Sequence, residues 1–216
     1  MPRITLIHAT ALAIDPIREA FARLWPEART TNLLEDSLSA DLAASAGLDA
    51  AMIHRFETLA RYAEASGADA ILFTCSAFGE AIEAASKLVR VPVLKPNEAM
   101  LEEALAAGTR IGIVATFQPT IPSMVEELQA LAAARGKHIE ILPRHVAGAM
   151  EALAAGKGED HDRMIAASLA DLVDCDAVLL AQFSMARAAK RARLTLDRPV
   201  LTSPDSAVHK LRQLLS

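Results

Sequence analysis

Short apolar runs alternate with Ala-rich, helix-forming stretches along the whole chain. The apolar runs predict strands, and the stretches between them predict helices. Strands are predicted at 3–9, 30–35, 70–74, 91–94, 110–116, 138–142, 177–181 and 198–202. Strands that alternate with helices at this spacing are typical of parallel βαβ units with right-handed crossovers, so the pattern predicts an α/β fold.

The two halves of this strand plan match each other. Three pairs of short segments recur at one separation of 107 positions, as from position 3 to position 110. These pairs are Arg3-Ile4 with Arg110-Ile111, Asp69–Leu72 with Asp176–Leu179, and Pro92–Leu94 with Pro199–Leu201. Because each pair has the same place in the strand plan, the matches indicate a duplicated unit. We therefore predict two pseudo-symmetric lobes, each a roughly four-stranded parallel sheet flanked by helices: residues 1–97 with 206–216, and residues 98–205.

One predicted strand ends abruptly in small hydroxyl residues around a cysteine. Its continuous run Ile71–Phe73 is typical of a strand buried on both faces, and Thr74, Cys75 and Ser76 follow directly. Since the chain from Glu80 onward is helix-forming, we expect Cys75 at the carboxyl end of a strand, facing the start of a helix. Open α/β sheets bind ligands at that edge. The duplication predicts a site in a cleft that the strand ends of both lobes face.

Hydroxyl, amide and imidazole side chains gather at the predicted strand ends of both lobes. They are His8, Thr10, Thr74 and Ser76 in the first lobe, and Thr116, Gln118, Thr120, Gln182 and Ser184 in the second. Several hydrogen-bond donors of this kind suit a carboxylate or an enediolate without a metal. We therefore predict that these residues bind a small carboxylate substrate. His8 is the nearest base to Cys75 if the first and third strands are adjacent.

Proton abstraction by Cys75 requires the thiolate, whereas a free thiol with a pKa of about 8.5 is only a few per cent ionised at pH 7. No Lys or Arg lies within four residues of Cys75 on either side, so local charge does not provide the stabilisation. The helix after Phe78-Gly79 offers unpaired backbone N–H groups and the positive end of its dipole. We therefore predict that the helix start lowers the pKa of Cys75.

Charge and hydropathy argue against several classes of partner. The 22 basic and 27 acidic residues give a net charge of −5 and are scattered, so no footprint for nucleic acid or an anionic membrane is present. The longest stretch without a charged side chain, 111–125, is shorter than the ~20 apolar residues that span a bilayer. The N-terminus passes directly into the first predicted strand and lacks the pattern of a signal peptide. We expect a cytoplasmic protein with neither nucleic acid nor membrane as a partner.

Three further features have a structural explanation. Cys175 precedes its strand between two acidic residues, and a lone cysteine there is more typical of a buried small hydrophobe than of a reactive thiol. The run Glu159–Asp162 contains metal-ligand types, but they are adjacent in sequence and acidic residues favour a helix start. Lys95 follows a strand without a glycine loop for the phosphate of a cofactor. We therefore expect no metal and no cofactor.

Four segments resemble the aspartate/glutamate/hydantoin racemase superfamily, which also includes maleate isomerases and arylmalonate decarboxylases. They are Phe73–Ser76, Val91–Leu94, Arg110–Thr116 and Ala177–Met185. Their order, spacing and duplication extend the resemblance over nearly the whole chain. The resemblance implies a cofactor-independent enzyme that acts at the Cα of a small carboxylic acid, and a homodimer is common among such proteins.

Racemases of this group carry one cysteine in each lobe, on opposite faces of the substrate's Cα. Cys75 matches the first, but Gln182 stands where a Leu-Gly-Cys-Ala-Gly-Met type of motif would place the second. Because an amide cannot exchange a proton near neutral pH, ordinary two-base racemisation is not expected. Three alternatives remain open. They are a racemase-like isomerase with Cys75 as thiolate base or nucleophile, a one-cysteine decarboxylase of a malonate-type acid, and a non-catalytic two-lobed binder.

Overall fold

A computed structural model describes residues 1–45 and 47–216 and divides the chain into two compact units. Unit 1 consists of Met1–Ala99 with Ala207–Ser216, and unit 2 consists of Met100–Ser206. Each unit contains a four-stranded, all-parallel sheet, and helices connect its strands. The prediction of an α/β fold with two such sheets is confirmed.

In unit 1 the sheet order is β2-β1-β3-β4, so β1 and β3 are adjacent. The strands are β1 Arg3–His8, β2 Arg29–Leu34, β3 Ala70–Phe73 and β4 Val93–Leu94. The helices are α1 Ile14–Leu24, α2 Ser37–Ala44, α3 Ala50–Ala65 and α4 Gly79–Ser86. Helix α5, Glu98–Ala107, begins in unit 1 and continues in unit 2.

In unit 2 the sheet order is β6-β5-β7-β8, which repeats the order of unit 1. The strands are β5 Arg110–Ala115, β6 Glu140–His145, β7 Ala177–Leu180 and β8 Val200–Thr202. The helices are α6 Thr120–Ala134, α7 Ala149–Ala154, α8 Gly158–Ser168 and α9 Ala189–Ala192. Helix α10, Ser203–Leu214, begins in unit 2 and ends in unit 1. No helix of the described residues is both long and apolar enough to cross a membrane.

Each predicted strand is present, and β6 shows the largest difference. The prediction ended this strand at 142, whereas the backbone stays paired with β5 through Pro143, Arg144 and His145. Strand β6 lies at the edge of its sheet, where polar side chains and a proline without an N–H are tolerated. The apolar pattern stops before the strand does because an edge strand needs little burial.

The recurring segments make the same contact in both sheets. In unit 1 a carboxylate oxygen of Asp69 accepts the backbone N–H of Arg3 at 2.7 Å. In unit 2 Asp176 accepts the N–H of Arg110 at 2.8 Å and that of Thr109 at 2.7 Å. These bonds join the beginnings of β1 and β3 and of β5 and β7. They give the recurring aspartate the same structural role in both units.

Gly108 lies against this contact in unit 2. A Cβ at Gly108 would stand 2.2 Å from Oδ2 of Asp176 and 2.4 Å from its Cβ, so the carboxylate would have to leave its N–H partners. We expect Gly108→Ala to lower the free energy of unfolding by about 1–3 kcal/mol, as overpacking does elsewhere, measured by urea denaturation. Gly79→Ala is the control, because a Cβ there meets nothing within 4 Å. Equal stability of both variants would contradict this role of Asp176.

Strand β7, one of the two central strands of unit 2, is buried on both faces. Val178 and Leu180 pack into one apolar core with α8 and the turn before α9, whereas Ala177 and Leu179 pack into another with α5 and α6. This two-sided burial is the physical reason for a continuous apolar run rather than an alternating one. Cys175 is 1% exposed in the first of these cores, the environment expected of a small hydrophobe.

Candidate active site

Cys75 and Gln182 have equivalent backbone positions in the two sheets. Cys75 follows β3 in extended conformation (φ −125°, ψ 120°) and precedes a 3₁₀ turn, Ser76–Phe78. Gln182 follows β7 with φ −132° and ψ 144° and precedes the 3₁₀ turn Phe183–Ala188. Since both strands are central and parallel to their neighbours, each residue lies at the carboxyl edge of its sheet.

The thiol of Cys75 is half-buried, and the backbone N–H of Ala77 lies in the turn that follows it. Burial raises the pKa of Cys75, and this effect outweighs the opposing influence of the Ala77 backbone N–H. The predicted lowering of the pKa is therefore wrong. Helix α4 begins at Gly79, close to where the sequence predicts it, so the cause of the difference is the burial of the thiol. Cys75 is a neutral thiol near pH 7 in this structure.

His8 occupies a hydrogen-bonded chain inside unit 1. It is 1% exposed, and burial lowers its pKa although the bond to Asn32 opposes this, so the ring is neutral near pH 7. Its Nε2–H donates to Oδ1 of Asn32 at 2.9 Å, because a carbonyl oxygen can only accept. The Nδ1 atom is then the acceptor, and the hydroxyl of Thr74 donates to it at 2.9 Å.

This chain places His8 next to Thr74 at the end of β3, as the adjacency of β1 and β3 requires. Both ring nitrogens are occupied by Asn32 and Thr74. His8 therefore orients Thr74, and its role as the base nearest to Cys75 is not supported by this geometry.

Sequence reasoning missed Asn32. The residue lies in the edge strand β2, where it pairs with Leu6, and its side chain reaches His8 at the end of the neighbouring strand. The available signal was a carboxamide inside a predicted strand, in the run Thr30-Thr31-Asn32. A polar residue there is also typical of an edge strand, so the pattern alone does not reveal the contact.

The two remaining candidates of unit 1 lie in turns. Thr10 is half-buried, and its hydroxyl accepts the N–H of Leu12 at 3.4 Å at the start of the 3₁₀ turn Ala11–Ala13. Ser76 is exposed directly after Cys75. Thr10 therefore caps a turn, while Ser76 stays accessible beside the thiol.

In unit 2 the side-chain oxygen of Gln182 accepts three hydrogen bonds. The donors are the backbone N–H of Thr116 at 2.7 Å, the hydroxyl of Thr116 at 2.9 Å and the backbone N–H of Phe117 at 3.3 Å. Thr116 is 4% exposed, and both of its donors face Gln182. The structure thus brings two predicted site residues together. Both donors of Thr116 bond to Gln182, so they do not face a ligand.

The other candidates of unit 2 are more accessible. Gln118 is exposed, Thr120 is half-buried at the start of α6, and Ser184 is half-buried in the turn after Gln182. Within residues 1–45 and 47–216, none of these three side chains has a hydrogen-bond partner in the protein. Their polar atoms are open to water or a ligand.

The acidic run near position 160 lies in the first turn of α8 and holds the turn after Gln182 in place. Nδ1–H of the buried His161 donates to Asp162 at 2.8 Å, and Nε of Arg187 donates to the same carboxylate at 2.9 Å. Arg187 belongs to the 3₁₀ turn Phe183–Ala188. No group of three His, Cys, Asp or Glu side chains among the described residues is arranged to hold a metal ion.

Comparison with known proteins adds to this geometry. A family model described as Asp/Glu/hydantoin racemase matches residues 7–213. No curated protein matches the chain significantly.

The chain is similar to several solved structures. An allantoin racemase from Klebsiella pneumoniae is 22% identical with a TM-score of 0.71, and the match covers 100% of this chain and 88% of that one. An aspartate racemase homologue from Pyrococcus horikoshii OT3 is 16% identical, with a TM-score of 0.73 and 99% of each chain covered. An arylmalonate decarboxylase is 19% identical, with a TM-score of 0.69, and 99% of this chain and 92% of that one are covered. At these identities the likeness establishes the fold.

Proposed function

The chain belongs to the Asp/Glu/hydantoin racemase family, and from this premise we propose that it is a cofactor-independent isomerase acting at the Cα of a small carboxylic acid. The observation that supports the proposal is the single thiol of Cys75 at the carboxyl edge of one sheet, with Gln182 at the equivalent position of the other. The thiol of Cys75 can take up and release a proton, whereas the amide of Gln182 can only form hydrogen bonds.

In the proposed reaction Cys75 acts as the proton carrier. As a thiolate it takes the Cα proton, so the C–H bond breaks, its electron pair enters an enediolate, and the proton forms an S–H bond. The enediolate oxygens require donors, and Ser76 is the accessible hydroxyl next to the thiol. A single thiol that returns the proton to the same face of Cα exchanges the proton without changing the substrate. A net isomerisation follows when a double bond lies next to Cα: the S–H bond breaks, the proton goes to the far carbon of that double bond, and the double bond moves to Cα. The expected isomerisation is therefore such a shift rather than racemisation.

Decarboxylation of a malonate-type acid is the second candidate, and the raised pKa of Cys75 favours it. Loss of CO2 breaks a C–C bond and leaves its electron pair in the enediolate, so no thiolate base is needed. The neutral thiol then donates its proton to Cα, and water reprotonates the sulfur. A neutral Cys75 is the form that this step uses.

The two candidates are separated by running wild-type protein in deuterated water. Proton NMR follows Cα exchange in 2-amino, 2-hydroxy and 2-aryl acids and the position of the double bond in β,γ-unsaturated acids, while CO2 release and chiral chromatography follow 2-aryl and 2-alkyl malonates. We expect either the acids followed by NMR or the malonates to react, and we expect deuterium to be delivered to one face of Cα. A racemic product would contradict proton transfer by Cys75 alone. Binding without turnover of any acid would instead favour the non-catalytic binder.

A further inference from the structure

We infer that Gln182 is a specificity-determining residue that presents its side-chain N–H groups to an anionic oxygen of the substrate at the end of β7. The inference rests on the proposed function, because it assigns a partner to the acid's oxygens. It also assigns Thr116 to the positioning of Gln182 and not to contact with substrate.

The amide of Gln182 has one stable orientation. A glutamine side chain can turn over and exchange its oxygen and nitrogen, but here the three groups that face Oε1 are the N–H and O–H of Thr116 and the N–H of Phe117. Backbone N–H groups only donate, so a reversed amide would direct its own N–H groups at donors. It would also leave the buried Thr116 without an acceptor. The oxygen therefore stays toward β5.

The amide nitrogen is consequently directed away from Thr116 and Phe117. In the part of the chain that the structure describes, no protein acceptor bonds to the side-chain nitrogen of Gln182, and the side chain is half-exposed. Three donors on the carbonyl oxygen polarise the amide and strengthen its N–H groups as donors. The hydrogen bonds from Thr116 and Phe117, which follow β5, thus make the accessible side-chain nitrogen of Gln182 a stronger donor.

A fixed, uncharged pair of N–H groups selects an acceptor. A carboxylate, carbonyl or enediolate oxygen satisfies it, whereas an ammonium group would meet only donors. The bond strengthens as negative charge accumulates on the oxygen, which happens when a carboxylate becomes an enediolate. The group that Gln182 binds at the end of β7 is therefore an anionic oxygen, not an amino group.

Gln182→Glu tests this assignment with little change of shape. One oxygen of the new carboxylate still accepts from Thr116 and Phe117, while the other replaces the donor with a negatively charged acceptor. Gln129→Glu is the control, because it makes the same chemical change at an exposed position of α6 in the same unit. Binding is measured by titration calorimetry with malonate at pH 8, and with benzenesulfonate, whose charge is constant, between pH 4.5 and 8.

We expect Gln182→Glu to weaken malonate binding at least 10-fold at pH 8, and Gln129→Glu to change it less than 2-fold. Benzenesulfonate binding by Gln182→Glu should recover toward wild type at low pH, because the protonated carboxyl regains an O–H donor. A purely structural glutamine would not produce this recovery. Equal affinity of wild type and Gln182→Glu for both anions would overturn the inference.

A second measurement uses wild-type protein alone. In ¹⁵N-labelled protein, the side-chain NH2 resonances of Gln182 should shift on addition of malonate, and unchanged resonances in the malonate-bound protein would overturn the inference. The outcome is separable from that of the proposed function. Anion binding that depends on Gln182 without Cα exchange would contradict only the proposed function, whereas Cα exchange with unaltered binding by Gln182→Glu would contradict only this inference.

Discussion

Cys75→Ala is expected to lower kcat/KM by a factor of about 10² to 10⁴, the usual contribution of a positioned proton-transfer group. The thiol is half-buried directly after β3, so its sulfur lies at the sheet edge where ligands bind. Alanine removes the only proton carrier that the proposal assigns. The measurement is the rate of Cα exchange or of CO2 release on the acid that wild type uses.

Cys175→Ala is the matched control for this loss. Cys175 is buried in the core beside Leu172 and Val178, so its removal affects packing and not the proposed chemistry. We expect Cys175→Ala to retain the wild-type rate per folded molecule. Wild-type rates in Cys75→Ala would exclude Cys75 as the proton carrier.

The pH dependence of the same reaction follows from the raised pKa of Cys75. Isomerisation needs the thiolate, so its rate should rise with pH into a range above that of a free thiol. Decarboxylation needs the neutral thiol, and its rate should fall over that same range. Iodoacetamide alkylation of wild type against pH measures the thiol pKa directly, with Cys75→Ser as the blank.

Much of the fold could be predicted because burial dictates the sequence pattern. Strands β3 and β7 are apolar runs because all four residues of each are buried, and Asp69 and Asp176 recur because each bonds to the beginning of the neighbouring strand. At the sheet edge the pattern carries less information. The polar end of β6, at Arg144, is therefore visible only in the paired backbone.

The sequence predicts where the candidate site lies, but it does not predict the hydrogen bonds between its side chains. The repeat placed Gln182 at the position equivalent to Cys75, yet no pattern reveals that the oxygen of Gln182 takes both donors of Thr116. The bond between His8 and Asn32 likewise depends on side-chain conformations across two strands. The direction of the pKa shift of Cys75 depends on how far burial outweighs one N–H group, and tertiary packing sets both.

Phe78→Ala is expected to lower the free energy of unfolding by about 3–5 kcal/mol, the usual cost of removing a buried aromatic ring. Phe78 is 0% exposed, and its ring lies 4.8 Å from that of Phe56, which in turn lies 5.3 Å from the ring of Phe73. Offset and tilted ring pairs at these distances add to the energy of burial. Chemical denaturation of Phe78→Ala and wild type measures the difference.

The control and the consequence for the site follow from the position of Phe78 in the turn after Cys75. Tyr62→Ala removes a ring that is 60% exposed on α3 and should change the free energy of unfolding by no more than about 0.5 kcal/mol. Phe78→Leu keeps most of the apolar volume, so this variant should fold while the turn loses its aromatic packing. If the packing of this turn sets the burial of the sulfur, alkylation of Cys75 in Phe78→Leu should lose its wild-type pH profile. An unchanged profile, together with a stability loss confined to Phe78→Ala, would show that the aromatic cluster stabilises unit 1 without positioning the thiol.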